Sequence, residues 1–202
     1  MSDDARRALL TRLFDHAPMF PPASMELDEA KAEDRRAQES EHAWLLGRFV
    51  VPEGVDVEGR ELAVVGDGRE RQGETVFVEG VSKIRCGGAA IPSVDELAAF
   101  VRGCREQQRL FKATAGLHHA YPTAEGEHGF LNLLAAAVFG DEEEALVAPP
   151  GSFELDADSF RWGDRQAFAQ QLAHARATLL HSIGSCSFFE PVEELDRLGM
   201  LG

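Results

Sequence analysis

The sequence predicts an α/β protein: a shortened or incomplete (β/α) barrel-like parallel sheet with an antiparallel hairpin insertion. Three observations lead there. From residue 82 onward, short apolar runs of strand character (SKIRCGG, LFKATAG, HSIGSCSF) alternate with segments of helix length. Between 52 and 80, ELAVVGD and ETVFVEG are separated only by GRERQG, which leaves no room for a helix and reads as a hairpin or loose turn. The six or so strands that 202 residues hold fall short of an eight-stranded barrel, which takes roughly 250 residues. A single domain is expected, with helices and a first strand in 1–52, a compressed hairpin region in 53–80 and a βαβ core in 82–202.

In chain order, residues 3–16 place Ala5, Leu9, Leu10, Leu13 and Phe14 on one helical face behind acids in the first turn. Pro18, Pro21 and Pro22 stop that helix. A second helix over about 26–42 is nearly all polar, so it is either solvated or covered by a partner. WLLGRFVV (44–51) is a buried strand interrupted by Arg48. Ser93-Val94-Asp95-Glu96 is a capping box opening a helix to about 108. HGFLNLLAAAVFG (128–140) is an apolar helix ended by Gly140. The stretch 141–151 reads as a solvated acidic loop, SFELDADSFRWG as irregular, 164–180 as a helix and 181–188 as a strand. A helix after Pro191 closes the fold.

Composition narrows the function classes. With 20 Lys+Arg against 35 Asp+Glu the formal charge is −15, which repels nucleic acid and anionic lipid. No apolar run nears the roughly 18 residues of a membrane span, and Met1-Ser2-Asp3-Asp4 has no basic n-region, so a cytoplasmic location is expected. Cys86, Cys104 and Cys186 are odd in number and lack C-x-x-C spacing, against a disulfide framework or structural zinc. No dinucleotide or phosphate-loop motif is present, and neither cofactor nor metal is expected.

Only three cations are lysines, and two of them, Lys83 and Lys112, fall inside apolar strand-like runs. Strand alternation puts Lys83 and Arg85 on one face with Ile84 and Cys86 opposite, and Lys112 and Thr114 on one face with Phe111, Ala113 and Ala115 opposite. The apolar faces suit covering helices; the cationic faces suit a barrel interior, whose C-terminal mouth carries active sites. Ser185 and Ser187 share a face, with Cys186 turned toward the helices, where it and Cys86 act as small hydrophobes. Arg48, Lys83, Arg85 and Lys112 then converge on an anionic small molecule, unless Glu79, Asp67 or other acids neutralise them internally. Lys112 is a candidate base, Schiff-base amine or counter-charge. His118 and His119, in the long loop after 116, and His128 are candidates for moving a proton. Adjacent histidines point apart and cannot chelate one metal. Gly87-Gly88 allow close approach of a ligand, and Asn132 is either a core amide or a pocket group.

The blocks KIRCGG, PSVDELAAFVRGCRE, FKATAGLHHA, HGFLNLLAAAV and GSCSFFEPVEEL, with DHAPMFPPASMEL and HAWLLGRFVVP before them, resemble a family of uncharacterised bacterial proteins with a (β/α)-barrel-like pattern. The resemblance covers about 1–52 and 82–202 and implies the fold and a pocket, not a reaction. It also implies that a longer βαβ stretch is compressed here into 53–80, leaving apolar surface and strand edges for a partner to cover.

The expectation is therefore an enzyme of lyase, isomerase or intramolecular-displacement type in specialised metabolism. It would hold an anionic metabolite at the C-terminal strand ends and expel an anionic leaving group. Lys112, His118 and His119 would carry catalysis, while Arg48, Lys83, Arg85, Thr114, Asn132 and Ser185 would bind substrate. The alternative is a non-catalytic subunit that completes a larger barrel-like homologue. Either way, a homo-oligomer or a heteromer with a related subunit is expected, without nucleic acid or membrane.

Overall fold

A computed structural model describes residues 3–66, 69–72, 75–76, 81–88 and 91–202. In chain order the elements are α1 (Ala5–Leu10), β1 (Phe14–His16), α2 (Leu27–Glu39), β2 (Leu46–Pro52), β3 (Leu62–Gly66), β4 (Arg69–Gln72), β5 (Thr75–Val76), β6 (Val81–Arg85), α3 (Val94–Glu106) and β7 (Leu110–Thr114). There follow α4 (Phe130–Phe139), α5 (Glu142–Leu146), β8 (Phe153–Leu155), β9 (Ser159–Trp162), β10 (Arg165–Phe168), α6 (Ala169–Thr178), β11 (Leu180–Ser185) and α7 (Phe189–Arg197).

The main sheet has the order β5-β4-β3-β2-β1-β11-β7-β6. Six of these strands, β3-β2-β1-β11-β7-β6, are parallel and curl into a half-barrel. That is the strand order of a (β/α) barrel opened between β3 and β6, as the shortened pattern predicts. The antiparallel insertion is also present, with a shifted boundary. β3 pairs in parallel with β2, and the antiparallel turn is β3-β4, continued by β5 at 75–76.

Local chemistry accounts for most boundaries. Ser93 Oγ accepts from Glu96 N while the Glu96 carboxylate accepts from Ser93 N, the capping box read from the sequence. Gly140 ends α4 at φ 76°. The helix expected over 3–16 is a correction. Asp4 caps α1, which stops at Leu10; Arg12 turns the chain at φ 53°, and Phe14–His16 are strand. Leu13 and Phe14 are buried in either arrangement, so apolar spacing could not tell helix from helix-turn-strand.

Two further segments depart from expectation. Residues 153–168, read as irregular and helix, form a small antiparallel sheet of order β10-β9-β8. Its Phe153, Phe160 and Trp162 pack on Phe139 and Tyr121, with ring centroids 5.4–6.2 Å apart. Residues 142–146, read as a solvated run, are helical, and Glu142 is buried against Arg105 Nε at 3.2 Å.

The convex side of the sheet is one core, closed by α1, α3, α4 and α6, with Phe14 edge-on to Phe130 at 5.4 Å. A second, smaller cluster of Ala30, Phe49, Val51 and Leu62 is covered by Val55 and Val57 of the β2-β3 connection, which has no helix of its own. The polar α2 is fastened rather than merely solvated. Its buried Asp34 accepts from Arg60 Nε at 2.6 Å and meets His16 Nδ1 at 3.1 Å.

Gly47 sets how closely β1 and β2 approach, because a Cβ there would land on Asp15 Oδ1. We expect Gly47→Ala to lower unfolding free energy by about 2–3 kcal/mol, since the buried Asp15 carboxylate and the Phe14 and Arg12 carbonyls beside it must give way. Urea denaturation of the two proteins measures it.

Candidate functional site

On the concave side, alternate residues of the parallel strands face inward: Asp15 on β1, Arg48 and Val50 on β2, Val65 on β3, Lys83 and Arg85 on β6, Lys112 and Thr114 on β7, and Ser182 and Gly184 on β11. Register aligns Lys83 with Lys112 and Lys112 with Ser182, and one layer up aligns Arg85, Thr114 and Gly184.

The lower layer is a closed ionic floor centred on Asp15. Its Oδ2 accepts from Lys112 Nζ at 2.7 Å, from Ser182 Oγ at 2.9 Å and from Arg48 Nη2, while Oδ1 accepts from Arg48 N at 2.8 Å. All four residues are at most 2% exposed. Burial alone would raise the Asp15 carboxyl; the charges of Lys112 and Arg48, with their hydrogen bonds, override it and hold the group far below the usual carboxylate range. His181, at the start of β11, feels the same layer. Burial first, then the charge of Arg48, pushes its imidazole down to about 4.

Above the floor a hollow of about 150 Å³ opens at the C-terminal ends of the strands. Lys83, Arg85, Lys112, Thr114 and His118 border it, with Val50, Val65 and the loop residues Ala17, Phe20 and Pro21 as an apolar wall. Gly184 leaves room beside Lys112, where a Cβ would lie 3.4 Å from Cε. A larger cleft of about 530 Å³ lies outside the half-barrel between α2 and residues 57–60. Its Asp34 and Arg60 are already paired with each other.

The three cations on which the sequence reading depends thus border one hollow, but they are not alike. Lys112 is buried and ion-paired to Asp15. Lys83 and Arg85 are exposed, because β6 is an edge strand of an unclosed sheet. Arg85 borders the hollow and donates Nε to the Gly87 carbonyl at 3.1 Å. Glu79 and Asp67, named above as possible neutralising acids, lie outside the described residues. Arg48 is consumed by the floor rather than turned to the hollow.

The histidines go three ways. His118 reaches the hollow, with Nδ1 3.0 Å from Glu190 Oε2 and 3.2 Å from Ser185 Oγ. His119 turns away, half exposed, to Glu194 Oε1 at 3.0 Å; that bond raises its imidazole against some burial. His128 Nε2 meets the Pro92 carbonyl at 2.7 Å. Asn132 is a buried amide whose Nδ2 donates to the Ala145 and Ala148 carbonyls, fastening α5, and it does not border the hollow.

Cys186 corrects the strand-face reading: with Ser182 and Gly184 inward, period-two alternation carries Cys186 to the hollow, and Ser185, expected to bind substrate, is not among the residues that border it. Cys86 stays on the helix side, where burial pushes its thiol up to about 12. Gly87, expected to approach a ligand, instead meets Gly116: a Cβ on Gly87 would lie 2.5 Å from Gly116 Cα. Asp15, the centre of the site, was missed because it sat inside a helix-like apolar run. The available signal was an acid after Leu-Phe and before the Pro-rich stop, the position of a strand's C-terminal end.

These features define an α/β half-barrel with an ionic floor and an open cationic hollow at the C-terminal ends of its parallel strands. Neither protein-family models, nor curated proteins, nor solved structures gave a match to this chain. Among the described residues no helix is long and apolar enough to cross a membrane.

Asp15→Asn leaves two buried cations with no full counter-charge, and we expect it to cost about 3–5 kcal/mol of stability. Asp15→Asn combined with Lys112→Met should recover part of the loss; thermal and urea unfolding of both variants checks this. For His181 the folded pKa lies below the ordinary 6.5, so the unfolded chain binds the proton first as pH falls. Its contribution is complete above pH 6.5 and is lost toward pH 4. The pH slope of unfolding free energy in that window should flatten in His181→Asn.

Proposed function

We propose that the hollow binds a small anionic metabolite and that the protein is an enzyme of lyase, isomerase or intramolecular-displacement type. One observation carries the reading: Lys83, Arg85 and Lys112 border a single hollow together with His118 at the C-terminal ends of parallel strands. In a chain of net charge −15, a cationic concavity is the place where an anion is drawn in, because low-dielectric walls focus the local field.

Roles divide by exposure. Arg85 and Lys83, at the rim, bind the anionic group and stabilise negative charge building on a leaving group. Lys112 is the counter-charge of Asp15 and supplies positive potential from the floor. A Schiff base would have to form at an amine already bound to a carboxylate 2.7 Å away. His118 moves the proton, and Val50, Val65 and Phe20 give the hollow an apolar wall for the uncharged part of the substrate.

Titration calorimetry with inorganic phosphate and with acetate tests this directly. Arg85→Gln should weaken binding about tenfold or more, and Lys83→Gln by a smaller factor. Binding that is equal in parent and variants, or absent in all, removes the anion site.

A second reading, that the chain is a subunit completing a larger barrel, draws on the open edge. β6 ends the sheet with one side unpaired by any described strand. Sedimentation velocity should then show self-association that deepens with concentration or assembly with a barrel-like partner; a monodisperse monomer at high concentration would count against it.

A further inference from the structure

We propose that Cys186 is a nucleophilic thiol of this hollow, with His118 as its base, for covalent capture of an acyl compound bearing an anionic group. The anionic part rests on the reading just given; the thiol chemistry stands on separate geometry.

Cys186 Sγ lies 3.6 Å from His118 Nε2, within reach of an S–H···N bond. The tautomer of His118 follows from the other side of the ring. The Ser185 hydroxyl has one proton, and it is directed at the Ser187 carbonyl oxygen 2.6 Å away. Toward His118 Nδ1, at 3.2 Å, that hydroxyl therefore accepts. Glu190 Oε2, 3.0 Å from the same nitrogen, is a carboxylate oxygen and also accepts. Both neighbours require the proton on Nδ1, which leaves the lone pair of the neutral ring on Nε2, the nitrogen that faces the thiol. Nucleophile, base and orienting acceptors stand in the order that thiol-dependent acyl transfer uses.

The surroundings fit the assignment. Cys186 and His118 border the same hollow as Arg85 and Lys83, so an anionic group held by those cations places the rest of a small substrate beside the sulfur. Burial raises the Cys186 thiol, offset in part by a backbone N–H of Ala23. The resting group is therefore a thiol that depends on a base, unlike a permanently ionised thiolate. Ser185 is 1% exposed and fixed at both ends, so it positions the imidazole.

In the step this arrangement serves, the Sγ–H proton passes to His118 Nε2 as sulfur bonds to the acyl carbon. The bond from that carbon to its leaving group then breaks, and the leaving group takes the proton from Nε2. Water, its proton accepted by the same nitrogen, releases the acyl group as a carboxylic acid and restores the thiol.

Alkylation of the full-length protein, read by peptide mass at Cys186, tests the assignment with iodoacetamide and iodoacetate. The iodoacetamide rate should inflect below the range in which an unassisted thiol ionises, and should fall about tenfold or more at pH 7 in His118→Gln. The ratio of iodoacetate to iodoacetamide rates should exceed that of glutathione about tenfold and drop toward it in Arg85→Gln. A rate that rises only above about pH 8 in the unaltered protein overturns the thiol assignment, whether or not His118→Gln folds. A retained inflection without iodoacetate preference leaves the thiol assignment standing and counts against the anion site; preference without the inflection does the reverse.

Discussion

The half-barrel depends on one carboxylate. Asp15 binds Lys112, Ser182 and Arg48 through side chains and the Arg48 backbone N–H, so a single group joins β1 to β2, β11 and β7 from the inside. A buried carboxylate is stable only when its lone pairs are met by charged or strong donors, and two buried cations are stable only beside an anion. Each member of the floor thus makes the others possible. Gly47, with no side chain, lets the carboxylate sit against the neighbouring strand.

This floor decides what remains for chemistry. Arg48 and Lys112 are buried in ion pairs with Asp15, whereas Lys83 and Arg85 are exposed on β6, the last strand of the sheet. In a closed barrel a neighbouring strand would crowd β6; here the opening between β3 and β6 leaves its inward cations in contact with solvent. Incomplete closure and an accessible cationic rim are therefore the same structural fact. The β2-β3 connection shows a related economy, with Val55 and Val57 covering Phe49, Val51 and Leu62 where a longer crossover would place a helix.

The end of β11 is the other place where topology creates a site. While the strand lasts, Ser182 and Gly184 face inward and Ile183 faces the helices. The same alternation carries Cys186 to the hollow just past the strand's last residue, and the backbone then turns into α7, where Glu190, on its first turn, reaches back to His118. Ser185 accepts from Ser187 N and donates to its carbonyl, so the turn itself fixes the hydroxyl that orients the imidazole.

The sequence by itself determined the α/β class, the unclosed barrel, the capping box at Ser93, the close of α4 at Gly140 and the inward faces of β6 and β7. These are set by local physics: period-two alternation, cap hydrogen bonds and the glycine backbone. Only the tertiary structure decided that Asp15 lies on a strand, that Arg48 and Lys112 answer it across 33 and 97 residues of chain, and that Asn132 and His119 belong elsewhere. It alone also brought Cys186 to His118. Which acid meets which buried cation depends on strand order, and strand order follows from how distant segments pack, a property no local pattern of residues encodes.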